Sequence, residues 1–229
     1  MVNFNLAFYT YFYGNNDNPA FKIPEVPSLK YKCYYYTNNA SIIESLKNTN
    51  WIGIYDEKPM KGCLIQSCMD GKHIKTMPQE YPQLKDYDYL CFLDSKLEKV
   101  NETFVENFIV KYFIEQNYAL LLRKHPSIHN NNVWNEFNES MLQRRYQLES
   151  EKYKNYIKKQ VDNGLSVITP LHCACGFMIR NMKHEKTIEI NTIWYEHIQE
   201  CGIQDQISFF FIKQFFDEYI LPFTEIPFV

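Results

Sequence analysis

No Cys-x-x-Cys pair occurs among the 7 cysteines, so a zinc ribbon or a thioredoxin-type redox site is poorly supported. Glycine is sparse, at 7 in 229 residues, and none of it builds a P-loop or another Gly-rich phosphate loop. With no paired-carboxylate cluster either, a nucleotidyltransferase or phosphatase lacks support. Positive charge is not in excess: 24 Lys and Arg stand against 27 Asp and Glu, a formal net charge of -3. That balance excludes a protein that coats nucleic acid, while leaving room for a small basic pocket that takes a phosphorylated ligand. The densest apolar stretch, Ile207-Ser208-Phe209-Phe210-Phe211-Ile212, falls far short of the ~20 residues a membrane span needs. The opening MVNFNLAFYTYFYG lacks the basic n-region of a secretory signal and reads as a strand. No internal repeat or low-complexity linker is visible.

What is present is globular. Hydrophobic residues make up 45% and charged residues 22%, in a chain long enough for one large domain with its own core. Aromatic content is high, at 17%, but Tyr and Phe beside much Asn, Lys and Ile also fit an AT-rich coding sequence, so richness alone is given little functional weight. Several cysteines lie inside apolar runs, where thiols act as small hydrophobes. The dense His172-Cys173-Ala174-Cys175 cluster reads as buried reduced thiols before it reads as a soft-metal site. A reducing, cytoplasmic compartment is the expectation. The sequons at Asn39, Asn101 and Asn138 are then chance occurrences in an Asn-rich chain.

Short apolar runs alternate with longer amphipathic ones. Strands are expected at Phe4–Tyr9, Tyr31–Tyr36, Trp51–Tyr55, Tyr89–Leu93, Ala119–Arg123 and Gly176–Arg180, each apolar on successive residues as befits strands covered on both faces. Helices are expected at Ser41–Asn48, over the apolar face of Phe104, Val105, Phe108, Ile109, Tyr112 and Phe113 with Asn101 as cap, across Val133–Val161 as two helices or one bent one, and from Asp205 to Ile220. Asn163-Gly164 closes the third and Pro222 the last. Strands alternating with helices predict an α/β fold: a mixed, mostly parallel central sheet flanked by helices.

Ligands of such folds bind beyond the carboxyl ends of the strands. The residues there are Thr10-Tyr11, Asp56, Asp94-Ser95-Lys96, Lys124-His125 and Asn181. Asp94 ends a buried strand, where a carboxylate can reach a divalent cation or a sugar hydroxyl, or merely cap the next helix. Lys75 opens a segment whose prolines, Pro78 and Pro82, predict an extended loop; a lysine held at its entrance can neutralise a phosphate, or sit in solvent. Arg123-Lys124-His125-Pro126 supplies donors to anionic or hydroxyl groups, or simply ends its strand. Asp205 falls in the first turn of an apolar helix, where the helix dipole favours it.

Taken together these residues resemble a glycosyltransferase-like family long catalogued as a domain of unknown function, with plant cell-wall and mucilage, bacterial and large-virus members. The resemblance rests on Lys75…Pro78…Pro82, Tyr87-Asp88-Tyr89, Asp94, His125-Pro126, Gly164, Gly176-Phe177-Met178-Ile179-Arg180, Trp194 and Gln204-Asp205-Gln206-Ile207-Ser208-Phe209, and spans about residues 50–216. It implies a single GT-A-type domain over 1–229. Residues 1–96 would bind the nucleotide sugar and residues 97–229 the acceptor. Thr10, Tyr11 and Asp56 would face the nucleotide; Lys75, Asp94, Lys96, Arg123 and Lys124 would contact the donor; Arg180 and Trp194 would contact the acceptor. Asp94 would hold Mn²⁺ or Mg²⁺. In place of the usual Asp-x-Asp this chain has Asp94-Ser95-Lys96, so an amine replaces one carboxylate, and Gln204 stands where an Arg is usual.

The implied reaction moves a sugar from a nucleotide-diphosphate donor, UDP-linked in the first instance, to a glycan or lipid-linked hydroxyl, with neither nucleic acid nor an integral membrane segment involved. The departing diphosphate needs positive charge, and the acceptor hydroxyl needs a base. Asp205 is the first choice of base if the anomeric centre inverts, and His125 the second; with retention, Asp205 orients the donor sugar. The alternative is a non-catalytic glycan- or nucleotide-binding module that keeps the fold, a reading which the Asp-Ser-Lys departure favours.

Overall fold

The computed structural model describes residues 4–15, 21–60, 62–94, 100–126 and 131–224. Its strands are β1 (Leu6–Tyr11), β2 (Lys32–Thr37), β3 (Ile52–Tyr55), β4 (Tyr89–Leu93), β5 (Leu120–Lys124), β6 (Cys173–Asn181) and β7 (Ile220–Phe223). The helices are α1 (Ala40–Leu46), α2 (Leu64–Thr76), α3 (Glu102–Phe108), α4 (Val133–Ser140), α5 (Arg144–Gln147), α6 (Ser150–Asp162), α7 (Glu185–Cys201) and α8 (Asp205–Phe215). One seven-stranded sheet forms in the order β3-β2-β1-β4-β6-β5-β7. Every neighbouring pair is parallel except those that β6 makes with β4 and β5. The expected α/β domain, with a mostly parallel mixed sheet between helices, is what the chain adopts.

Side chains alternate between the two faces of each strand. Ala7, Tyr9, Leu90, Phe92, Leu120, Leu122 and Met178 point to one face and pack against Ile74 of α2, Ile190 and Trp194 of α7, and Phe209 and Ile212 of α8. Leu6, Phe8, Cys91, Leu93, Leu121 and Ile179 point to the other, against Ile42 of α1 and Val105 and Phe108 of α3. Both faces are thus covered, which is why the strands read as continuous apolar runs. A third cluster joins Val133, Phe137, Tyr153 and Ile157 to Ile207, Phe210 and Phe211. Helix α8 is therefore apolar on two sides, with the sheet on one and α4 and α6 on the other. It is exposed at its last residue, Phe215.

Local chemistry explains most boundaries. Asn101 caps α3 by accepting from Phe104 N at 3.1 Å, as expected. Gly164, at φ +93°, ends α6: its N–H reaches Val161 O at 2.9 Å while Leu165 N–H reaches Gln160 O at 3.1 Å. Those two bonds are the paired closure of a left-handed C-terminal cap. The polar stretch 133–161 resolves into three helices rather than two.

Other expectations are corrected. Lys75 does not open an extended loop; it sits in the last turn of α2, and Pro78–Glu80 forms a short tight turn after it. The last helix stops at Phe215, and Ile220–Phe223 returns as an edge strand parallel to β5, a position where a proline is tolerated. Because β6 runs antiparallel, Asn181 lies opposite Tyr89, at the amino end of β4, and leaves the expected rim. The beginning of β6 takes its place there. Cys173 and Cys175 are buried in that strand, and burial pushes the Cys173 thiol up to about 12. Among the described residues no helix is long and apolar enough to cross a membrane.

Candidate active site

The carboxyl ends of β1, β4 and β5 and the start of β6 surround a cavity of about 370 Å³. Tyr11, Asp94, His125, Cys175 and Gly176 line it from the sheet. One wall is α2, which contributes Lys72 and Lys75; the opposite wall is the α4–α5 segment, with Glu136, Ser140, Gln143, Arg145 and Tyr146. The head of α8 closes it with Gln204, Asp205 and Gln206. A volume of this order suits a small-molecule ligand.

The α2 wall is a charge cluster. Lys72 and Lys75 are one turn apart and face the same way. Lys72 Nζ lies 3.0 Å from Asp205 Oδ1, and Lys75 Nζ lies 2.5 Å from Asp205 Oδ2. All three are buried, Asp205 at 3% exposure and Lys75 at 5%. Burial alone would raise the Asp205 carboxyl, but the two ammonium groups outweigh it and hold it at about 2, below its ordinary 3.8. Burial likewise lowers the Lys72 ammonium, and Asp205, helped by Tyr146, more than reverses that. This alters the base assignment, because a carboxylate with each oxygen on an ammonium group is a poor proton acceptor. Asp205 is instead the counterion that fixes the lysine pair.

Arg180 and Trp194 frame this cluster and do not touch the cavity. Both are 0% exposed. Arg180 donates to Asn191 Oδ1 at 2.9 Å, to Tyr9 Oη at 2.7 Å and to the Lys75 carbonyl at 2.8 Å. Tyr9 Oη also donates to that carbonyl, at 3.0 Å. The indole N–H of Trp194 donates to Ser208 Oγ at 3.1 Å and to the Asp205 carbonyl at 3.3 Å. The expectation that these two side chains contact an acceptor is therefore corrected: with no exposed surface, they hold the backbones of Lys75 and Asp205 in place.

The α4 wall is a hydrogen-bond network around another buried carboxylate. Glu136, 3% exposed, offers Oε2 to His172 Nε2 at 2.9 Å and to His125 Nε2 at 3.4 Å. Its Oε1 accepts from Gln204 Nε2 at 2.9 Å and Gln206 Nε2 at 2.8 Å. Gln204 also donates to Ser140 Oγ at 2.6 Å. The two imidazoles stack, with ring centres 5.3 Å apart and planes 12° from parallel. Burial would raise Glu136, but the histidine contacts outweigh it and lower the carboxyl. Burial pushes the His125 imidazole down to about 4, only partly opposed by Glu136, so it is neutral at ordinary pH.

Of the residues singled out in the sequence, Tyr11, Lys75, Asp94, His125 and Asp205 come together on this cavity. Thr10 lines a small adjoining depression that Asp94 shares. Asp56 stands apart, accepting from Tyr13 Oη at 2.6 Å with Lys58 Nζ at 3.4 Å. Arg123 and Lys124 are not on the cavity wall: the ladder of β5 shifts register between Leu122 and Arg123, and burial lowers the Arg123 guanidinium to about 10. Lys96 lies outside the described residues. Sequence reading missed Lys72, Glu136 and Arg145. Lys72 was within reach, one turn before Lys75; Glu136 carries no local signal, because its partners come from distant segments.

The fold can now be set beside known structures. The chain is similar to the apo form of mouse xyloside xylosyltransferase 1, with a TM-score of 0.52 and 11% identity, over 97% of this chain and 85% of that one. This is a GT-A-type fold. Weaker likenesses are to the apo form of WbbM, a bifunctional glycosyltransferase (TM-score 0.48, 11% identity, 96% of this chain and 38% of that one), and to 4-diphosphocytidyl-2C-methyl-D-erythritol synthase from Anaerococcus prevotii (TM-score 0.46, 11% identity, 98% and 90%). No protein-family model matches the sequence, and no curated protein does. The GT-A-type fold places Lys72, Lys75, Asp94 and Asp205 around one cavity at the strand ends.

The resemblance noted in the sequence implies Mn²⁺ or Mg²⁺ at Asp94. Among the described residues no three His, Cys, Asp or Glu side chains form a group that could hold a metal by themselves. Yet Mg²⁺-like ions commonly take one or two carboxylates and share their remaining shell with substrate phosphates and water. The cavity's charge count favours such sharing. Lys72, Lys75 and Arg145 face Asp94, Glu136, Glu139 and Asp205, and both lysines are already engaged by Asp205. The residues fit a dication shared with a diphosphate, and do not fit a protein-closed site.

Proposed function

We propose that this chain is a glycosyltransferase that moves a sugar from a nucleoside-diphosphate donor, a UDP-sugar in the first instance, to a hydroxyl of a glycan or lipid-linked acceptor. The observation that carries the reading is the buried Lys72–Asp205–Lys75 cluster facing Asp94 across a cavity at the strand ends of a GT-A-type sheet. Residues 1–96 supply the donor side through Tyr11, Lys72, Lys75 and Asp94, with Thr10 and Asp56 further along the strand ends. Residues 97–229 supply the acceptor side through His125 and the α4 wall. In transfer, the C1–O bond to the diphosphate breaks with its electron pair leaving on the diphosphate, while the acceptor oxygen bonds to C1 and gives up its proton. The lysine pair, fixed by Asp205, faces the departing charge without having to reorganise. Asp94 is the residue that would hold a dication, which would supply further neutralisation of the leaving group. The base is His125, because it is neutral and Asp205 is engaged.

Thermal unfolding with UDP, GDP, CMP and ADP, each with and without Mn²⁺, tests this. A ligand at ~100 times its dissociation constant stabilises by about 2.7 kcal/mol, a shift of several degrees. A UDP-selective shift that grows with Mn²⁺ and loses that growth in Asp94→Asn is the expected result. No shift with any nucleotide removes the donor reading and leaves a non-catalytic module of the same fold.

A further inference from the structure

Charge is unevenly distributed along this chain. Residues 141–160 carry six Lys and Arg against two Glu, in a chain whose formal net charge is -3. The stretch runs from the turn after α4 through α5 and along α6. Tyr153, Tyr156, Ile157 and Gln160 form the buried side of α6, so its lysines stand on the outer side and are exposed. Lys154 Nζ lies 5.8 Å from the centre of the Phe137 ring, so the edge of α6 that carries Lys154 and, one turn on, Lys158 adjoins α4. Lys152, Lys154 and Lys159 pair with Glu149, Glu151 and Glu200. Among the described residues Arg144 and Lys158 enter no ion pair.

Two leucines flank α5, which is a single turn. Leu142 is 77% exposed and Leu148 63%; among the described residues only Leu29 exposes a large apolar side chain more fully. Lone exposed leucines are ordinary. Two of them bracketing an unpaired arginine, on the basic segment of an acidic chain, match one kind of partner: acyl chains beneath anionic head groups. Leu142 also lines the cavity, so the cavity opens beside this turn.

We infer that the turn at 142–148 docks on an anionic lipid surface, with Leu142 and Leu148 entering the acyl boundary and Arg144, Lys154 and Lys158 meeting the head groups. Docking sets the mouth of the cavity against the membrane, which selects the lipid-linked acceptor over a free glycan. That selection rests on the transferase reading; the docking does not. Charge decides against a second copy of the chain, because two such segments face to face would oppose like charges. A soluble polyanion such as RNA would engage the cations and leave the leucines in water.

Flotation of the full chain with vesicles tests this, using phosphatidylcholine alone and an equimolar mixture with phosphatidylglycerol. The chain should float with the mixed vesicles and stay behind with phosphatidylcholine alone. Leu142→Ser with Leu148→Ser should weaken binding by about 10²-fold, tenfold for each leucine withdrawn. Arg144→Gln with Lys158→Gln should weaken it by about 25-fold, fivefold for each cation. Leu29→Ser removes a more exposed leucine outside the segment and should leave binding unchanged. No flotation with the mixed vesicles overturns the inference. So does binding that the leucine variant retains, since a contact made by charge alone is that of a polyanion surface. Should that variant not fold, Leu142→Gln with Leu148→Gln keeps the side-chain length and is expected to lose binding equally; retained binding overturns the inference there too. Thermal unfolding with UDP, without vesicles, separates the two readings. A UDP shift without flotation removes the docking alone. Flotation without a UDP shift upholds the docking and removes the acceptor selection along with the transferase reading.

Discussion

Two buried carboxylates, Asp205 and Glu136, line one cavity, and they are stabilised in opposite ways. Each is 3% exposed, and each is held below its ordinary pKa in spite of burial. Asp205 owes this to two formal cations, while Glu136 owes it to the His172 and His125 imidazoles and the Gln206 amide. The first arrangement concentrates charge, which suits the proposed diphosphate-binding wall. The second distributes hydrogen bonds around an ionised group. Burial alone therefore does not distinguish a structural carboxylate from a working one; the chemistry of its partners does.

The comparison can be broken most severely at Asp205. Asp205→Asn leaves two buried ammonium groups without a counterion, and breaking a buried ion pair on one side costs about 3–5 kcal/mol. Chemical denaturation should show a loss of that size. Glu136→Gln removes no formal cation's partner and leaves hydrogen bonds to rearrange, so a loss of about 1–3 kcal/mol is expected in the same measurement. A larger loss for Glu136→Gln than for Asp205→Asn would invert the comparison. Acid titration of stability sharpens it with the smallest effect. His125 is near 4 when folded against 6.5 when free, so its contribution is complete above about 6.5 and fades as the pH falls towards 4. Asp205 is near 2 against 3.8, so its contribution is complete above about 3.8 and fades only below it. Stability should thus decline in two windows, the α4 wall first. His125→Asn should shrink the upper window, which the burial-lowered His73, His184 and His197 also feed, and spare the lower one.

The same contrast explains how much could be read from the chain. Strands such as Tyr89–Leu93 were legible because both faces are covered, so every residue is apolar. The direction of β6 was not, since an apolar run has no polarity along the chain. Helix α2 was missed because its buried side is made of Ser67, Lys72, Lys75 and Thr76 as much as of Ile74; a functional face erases the apolar stripe that betrays a helix. Strand β7 was hidden by Pro222, which reads as a helix stop and serves as an edge residue. At the site, Asp94, His125 and Asp205 were picked out by their place at strand or helix ends, and Lys75 by the prolines that follow it. Arg180 and Trp194 shared the same motifs but point inward, a distinction that depends on which face of β6 and α7 meets the other layer.

Gly71 does not line the cavity, yet it governs how deep the cavity is. A Cβ at that position would lie 2.2 Å from Cε2 of Tyr11, so α2 and the end of β1 meet where only a hydrogen atom fits. Lys72 follows directly and Lys75 lies one turn on, so their depth depends on that contact as a cantilever depends on its clamp. A single methyl group added there, outside every polar contact of the site, would lift the helix or turn the ring and draw both ammonium groups back from Asp205. Substitution at a residue that carries no chemistry of its own is therefore expected to disturb the lysine pair.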